Sequence, residues 1–213
     1  MIPAFADLQL FKMRYFVFVE FVDPKVRMFL DDLRRTLSGK PKSDAPHITV
    51  RGPYSVKPES TSLENWKSGL TGNGVLLIDS GVFKTPKGYA VFLHAKSKIF
   101  DDIWWKPDYR GTKSSRKPHV TIFETASSHC AELVQNFLNS EQISVFTYAF
   151  ALTVYTSKQH ELLGDNNGVL DLSYSPLPQE RIHFKEGMFE RGSRLYEYIA
   201  EQEHNLPHQL RLL

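Results

Sequence analysis

Apolar and polar positions divide this chain into a series of short elements. Tyr15 to Val22 is a dense run of aromatic and β-branched residues, which predicts a buried strand. Asp23-Pro24 follows as an N-cap and a first helical residue. Val26, Phe29, Leu30, Leu33 and Leu37 then share one helical face up to a stop near Gly39. Lys40 to Pro46 is a polar loop, and His47 to Arg51 reads as a strand ended by Gly52-Pro53. Thr61 to Leu70 predicts a short helix. Val75 to Phe83 and Gly88 to His94 predict a hairpin turning through Lys84-Thr85-Pro86-Lys87. Ser97 to Trp105 is helix-like, Lys106 to Lys117 is a basic loop, His119 to Phe123 is a strand, and a helix follows over Ser128 to Leu138. Val145 to Val154 alternates as one strand, with Phe146, Tyr148, Phe150, Leu152 and Val154 on one face. Gly168 to Tyr174 closes the strands. From Pro178 onward the chain is charged and helix-like, with Gly187 and Gly192 as breaks.

Strand, helix, strand, helix and two strands are thus followed by a comparable second set. The order implies an α+β fold of two related, pseudo-symmetric lobes, with antiparallel sheets and flanking helices. Residues 1–178 are read as one bilobal domain and 179–213 as a C-terminal helical extension. The length of 213 residues suits that size. With 15 Phe, 9 Tyr and 3 Trp to bury, the chain is not a disordered one. A net charge of +2 does not demand nucleic acid as a partner, though it permits a local basic patch. The one cysteine, Cys130, excludes an intramolecular disulfide framework and multi-thiolate zinc sites, and reads as a structural thiol. No apolar run approaches the roughly 20 residues of a membrane helix. A reducing, cytoplasmic location without membrane association is expected.

One pattern occurs twice, 72 residues apart: Pro46-His47-Ile48-Thr49-Val50 and Pro118-His119-Val120-Thr121-Ile122. On a strand, residues i and i+2 share a face. His47 therefore points with Thr49 and His119 with Thr121, while Ile48, Val50, Val120 and Ile122 point to the opposite face. Two imidazoles and two hydroxyls suit a phosphodiester. One neutral His takes a proton from the attacking oxygen, and one protonated His gives a proton to the departing one. The Thr hydroxyls donate to the non-bridging phosphate oxygens. His-x-Thr is not a usual metal-ligand spacing, and the other histidines, His94 among them, show no clustered pattern. No metal or other cofactor is expected.

The paired His-x-Thr strands resemble the 2H phosphoesterase superfamily, which includes RNA 2′,3′-cyclic phosphodiesterases and enzymes labelled 2′-5′ RNA ligases. The resemblance covers roughly residues 14 to 175. It implies a bilobal α+β fold with one motif per lobe, catalytic histidines at His47 and His119, and phosphate-binding hydroxyls at Thr49 and Thr121. It also implies a metal-independent phosphodiesterase acting on a 2′,3′-cyclic phosphate, a 2′-5′ linkage or a small cyclic oligonucleotide. The partner is then a nucleotide, oligonucleotide or RNA end, with no protein partner required. Two alternatives stay open: joining of 2′-5′ RNA ends, and a non-catalytic nucleotide- or RNA-binding module.

Four further residues are candidates for substrate contact. Arg51, at i+2 from Thr49, either holds a phosphate or is an exposed strand-end charge. Phe123 has the matching place in the second motif and either stacks on a base or fills the core. Phe83 and Tyr89 flank the hairpin turn with Lys84 and Lys87 between them, as a base-stacking lip or as anchors of a solvated turn. Lys113, Arg116 and Lys117 precede His119 and either attract an anion or form an ordinary solvated loop.

Overall fold

The computed structural model describes residues 14–70, 72–98, 100, 117–156 and 181–204. These form β1 (Tyr15–Phe21), α1 (Pro24–Ser38), β2 (His47–Tyr54), α2 (Ser60–Leu70), β3 (Val75–Thr85), β4 (Gly88–Lys96), β5 (His119–Thr125), α3 (Ser128–Ser140), β6 (Ser144–Thr147), β7 (Phe150–Thr156), β8 (Arg181–His183) and α4 (Met188–His204). The helix expected over Ser97 to Trp105, the loop Lys106 to Lys117 and the strand Gly168 to Tyr174 lie wholly or largely outside the described residues. Among the described residues, no helix is long and apolar enough to cross a membrane.

The fold is mixed α+β, as the element order implies. Instead of separate sheets for two lobes, all eight strands join one antiparallel sheet, in the order β7-β1-β2-β5-β4-β3-β6-β8. The two His-x-Thr strands, β2 and β5, are neighbours within it, paired through Ile48 and Val120.

The run Val145 to Val154 is two strands rather than one. β6 pairs with β3 and β8, whereas β7 pairs with β1 at the far edge. The peptide steps from Thr147 to Phe150 reach about 11 Å at most. In a flat sheet, six strand spacings of about 4.8 Å would hold β6 and β7 about 29 Å apart. The sheet therefore curls until these strand ends meet. The break is fixed locally: Ala149 N–H donates to Thr147 Oγ1 at 3.0 Å, and its carbonyl accepts from Val22 N–H at 3.2 Å. Unbroken alternation across Tyr148 hides this corner from a reading of hydrophobicity alone.

One face of the sheet carries the core. Val17, Val19 and Phe21 of β1, Ile48 of β2, Val120 of β5, and Val91 and Leu93 of β4 are buried there with Phe29, Leu30, Leu33 and Leu37 of α1 and with Ala131, Val134 and Leu138 of α3. Apolar side chains spaced three and four apart give each helix one face to bury. Helix α1 starts on Asp23, whose carboxylate accepts from the backbone N–H groups of Lys25 and Val26 at 2.7 and 2.9 Å. It ends at Gly39, whose left-handed conformation (φ 66°) lets its N–H donate to the Arg35 carbonyl. Cys130 is buried on α3, in keeping with a structural thiol.

The segment after residue 178 is helical over α4, as expected, but it also completes the core. β8 extends the sheet beyond β6, and Met188 and Ile199 are buried with the residues named above. Glu141, at the end of α3, accepts from Arg191 Nε at 2.9 Å and holds α4 against it.

Candidate active site

The opposite face of the sheet carries the two His-x-Thr pairs. On it the antiparallel register sets Phe18 across from Thr49 and Glu20 across from His47, between β1 and β2. The β4–β5 pair repeats this arrangement: Phe92 lies across from Thr121 and His94 across from His119. Between the two pairs stands Ile48–Val120. Continuing that register by one residue each way sets Thr49 opposite His119 and His47 opposite Thr121. The two imidazoles then occupy diagonal positions about 7–8 Å apart at the backbone. The structure thus brings His47, Thr49, His119 and Thr121 together on adjoining strands.

The two histidines are held in the same way. His47 Nδ1 lies 2.9 Å from the Ala45 carbonyl, and His119 Nδ1 lies 2.6 Å from the Lys117 carbonyl. A carbonyl only accepts, so each Nδ1 carries the hydrogen and each Nε2 is left as the proton-exchanging atom. Packing fixes the rings. Phe18 stacks on His47 with centroids 4.0 Å apart and planes at 16°. Phe92 and Phe83 lie 4.9 and 5.0 Å from the His119 ring. Among the described residues, no hydrogen bond engages the hydroxyl of Thr49 or Thr121, and neither hydroxyl is buried. Both can donate to a bound anion.

Burial holds both imidazoles below their ordinary pKa. At His47 the Ala45 carbonyl and the Asp44 carboxylate work against that effect, and Arg34 reinforces it. At His119 the Lys117 carbonyl opposes it, and the neighbouring His47 and His94 reinforce it. The surroundings differ in one further respect. Asp44 Oδ2 lies 3.6 Å from His47 Nδ1 and 3.0 Å from Nη2 of the buried Arg34, so His47 has a carboxylate behind it. Among the described residues His119 has no such ion pair.

Two of the sequence candidates leave this face, for one reason. The β1–β2 register passes from Phe18–Thr49 to Val17–Arg51, which makes Val50 an extra residue. The β4–β5 register passes from Phe92–Thr121 to Val91–Phe123, which makes Ile122 an extra residue. A bulge resets the side-chain alternation. Arg51 and Phe123 are therefore turned to the core face and do not follow their threonines. Arg51 is 0% exposed, with its guanidinium 4.9 Å over the Trp66 ring, and Phe123 is 5% exposed in the core. The strand β2 also continues past Gly52-Pro53 to pair Tyr54 with Tyr15, because a second register shift accommodates the proline.

Phe83 and Tyr89 separate as well. Phe83 is 39% exposed beside His119, on the site face. Tyr89, one residue out of phase with Ala90 and Phe92, packs against the core instead. Across the hairpin Tyr89 opposes Lys84 and Phe83 opposes Ala90, so the two rings lie on opposite faces and form no lip. Lys117 is exposed next to the site, while Lys113 and Arg116 lie outside the described residues.

No protein-family model matches the chain, and a search of curated proteins finds no relative. The site must be read from its own geometry. That geometry adds residues which periodicity alone does not single out: Phe18, Glu20, Asp44, Phe92, His94 and Tyr155. The Tyr155 hydroxyl donates to Glu20 Oε1, and its ring lies 4.9 Å from Phe18. Burial, with that hydrogen bond, pushes the phenol pKa up. Phe18-Val19-Glu20 and Phe92-Leu93-His94 are a second, fainter repeat, visible once the pairing register is known.

Proposed function

We propose that the protein is a phosphodiesterase of the 2H type, cleaving a ribose phosphodiester by two-histidine general acid–base catalysis. One observation carries this reading. Two imidazoles on adjoining strands have Nδ1 committed to a carbonyl two residues earlier, and each shares its face with a threonine hydroxyl.

A phosphate between the diagonal imidazoles meets one Nε2 on the side of the attacking oxygen and the other on the side of the leaving oxygen. The neutral ring accepts the proton of the attacking water or hydroxyl. The protonated ring donates to the oxygen whose bond to phosphorus breaks. Thr49 and Thr121 hydroxyls donate to the non-bridging oxygens as their charge grows. Phe18, Phe83 and Phe92 hold the rings and exclude water from their faces. No step of this scheme requires a metal ion.

The test compares wild type with the His47→Ala/His119→Ala double variant, in the presence of a chelator. The panel holds 2′,3′-cyclic mononucleotides, RNA ending in a cyclic phosphate, 2′-5′ oligoadenylate and small cyclic oligonucleotides. Turnover by wild type alone is the expected result. Joined 2′-5′ ends in place of hydrolysis products assign the reverse reaction. Binding without turnover, retained in the double variant, makes the protein a nucleotide-binding module.

A further inference from the structure

The site takes its ligand in one direction only, we propose: an anionic group beyond the scissile phosphate lies at His94, and a hydroxyl or amino donor lies at Glu20. This rests on the phosphodiester reading above and adds the orientation and the kind of substrate.

The site has a symmetry that holds in shape and fails in charge. Phe18 and Phe92 take equivalent places, each across from a motif threonine. Glu20 and His94 take the next equivalent places, each across from a motif histidine. The catalytic quartet by itself does not distinguish the two ends of a phosphodiester. These two flanking residues do, because one is a carboxylate and the other an imidazole.

At the Glu20 end a second phosphate would face the Glu20 carboxylate itself, since Asp44 near the adjoining His47 is paired with Arg34 at 3.0 Å. Tyr155 occupies one oxygen of Glu20, and a carboxylate has capacity for further donors, such as a ribose hydroxyl or a base amino group. At the other end, His94 is half-buried with its ring 4.8 Å from Phe92 and edge-on to it. Among the described residues no hydrogen bond engages its ring nitrogens. An imidazole presents an N–H in either protonation state. Among the described residues the charged groups that act on it are Lys117, Asp79 and Lys96. Lys96 and Asp79 are paired at 2.8 Å, so of these Lys117 is left as a net positive charge. Directly opposed residues lie about 5 Å apart at the backbone, so His94 sits within one phosphate's reach of a group held by His119.

The test uses adenosine 2′,3′-cyclic phosphate with and without a 5′-phosphate. The readout is the ratio of the two kcat/KM values at about pH 6. Wild type should favour the 5′-phosphorylated probe about tenfold. His94→Leu should bring the ratio to near one. His94→Gln, which keeps an N–H donor, should restore part of the preference, and Glu20→Gln should keep it. A wild-type ratio near one, or His94→Leu lowering both probes equally, overturns the proposal. If wild type turns over neither probe, these mononucleotides are not its substrates and the subsite is read by calorimetry. Tighter binding of adenosine 3′,5′-bisphosphate than of adenosine 3′-monophosphate, lost in His94→Leu, supports it, and equal affinities overturn it.

Discussion

Phe18 lies flat on His47, with ring centroids 4.0 Å apart and planes inclined by 16°. The contact joins β1 to the first motif strand and keeps water from one face of the imidazole. Replacing Phe18 by Leu keeps apolar volume and removes the stack, which is worth about 0.5–1.5 kcal/mol. The expected result is a several-fold fall in kcat/KM and an upward move of the His47 pKa, because burial is the main cause holding it down. NMR titration of the ring reads the second effect. An unmoved His47 titration in a folded Phe18→Leu protein would count against the assigned contact.

Asp44 links His47 to the buried Arg34. Asp44→Asn removes a charge that favours the protonated ring, so the His47 pKa should fall further. It also weakens the partnership of Arg34, which keeps its bond to the Asp44 carbonyl at 2.7 Å. A destabilisation of about 1–3 kcal/mol is expected, read by denaturant unfolding. His119 titration should move much less, which separates a local charge effect from a general loosening.

The pH dependence of activity follows from two imidazoles that both titrate low. On the proposed mechanism the competent free form has one ring neutral and one protonated. With both values held down by burial, that form is most abundant below about pH 6.5. A bell-shaped kcat/KM profile centred on the acid side is expected. A maximum at pH 8 would contradict it.

Stability should follow the same rings. An imidazole with a lowered folded pKa takes up its proton later than the unfolded chain does as pH falls. The unfolded state then binds more protons, so stability rises with pH through this range. The contribution is complete above about pH 6.5 and is lost as pH falls through the folded values. Melting temperatures of the His47→Gln/His119→Gln protein should decline less between pH 7 and pH 5 than those of wild type.

The end of α1 offers a test of how α4 is docked. Gly39 is left-handed, and a Cβ there would stand 2.1 Å from the Tyr196 ring. Gly39→Ala should destabilise by more than the roughly 1 kcal/mol of the backbone conformation alone. Tyr196→Ala combined with it should return part of the loss. Additive effects of the two changes, measured by denaturant unfolding, would place the strain elsewhere.

Much of this was legible in the sequence. Local signals gave the edges of α1, because Asp23, Pro24 and Gly39 act within a turn of where they stand. The quartet was legible because His and Thr two apart on a strand share a face whatever the fold. Arg51 was misplaced, and the choice between base and core at Phe123 stayed open, because a bulge is a property of two strands and one strand's sequence does not show it. At Tyr89 the anchor reading is the one that holds, its face being set by the register of β4. Glu20 and His94 look like scattered polar residues until β1 and β4 are seen beside the motif strands. The corner at Tyr148–Ala149 is invisible in a pattern that alternates straight through it.

The paired bulges have a consequence for anyone wishing to redesign the protein. Each motif strand resets its alternation at its threonine: His47 and Thr49, like His119 and Thr121, face the candidate site, whereas Arg51 and Phe123 past the bulge face the interior. Saturation libraries at Arg51 and Phe123 would sample solubility and folding yield, with little new selectivity. Variation aimed at ligand choice belongs on the outboard strands, at Glu20, Phe83 and His94, where the backbone is already anchored by its neighbours and the side chains face outward.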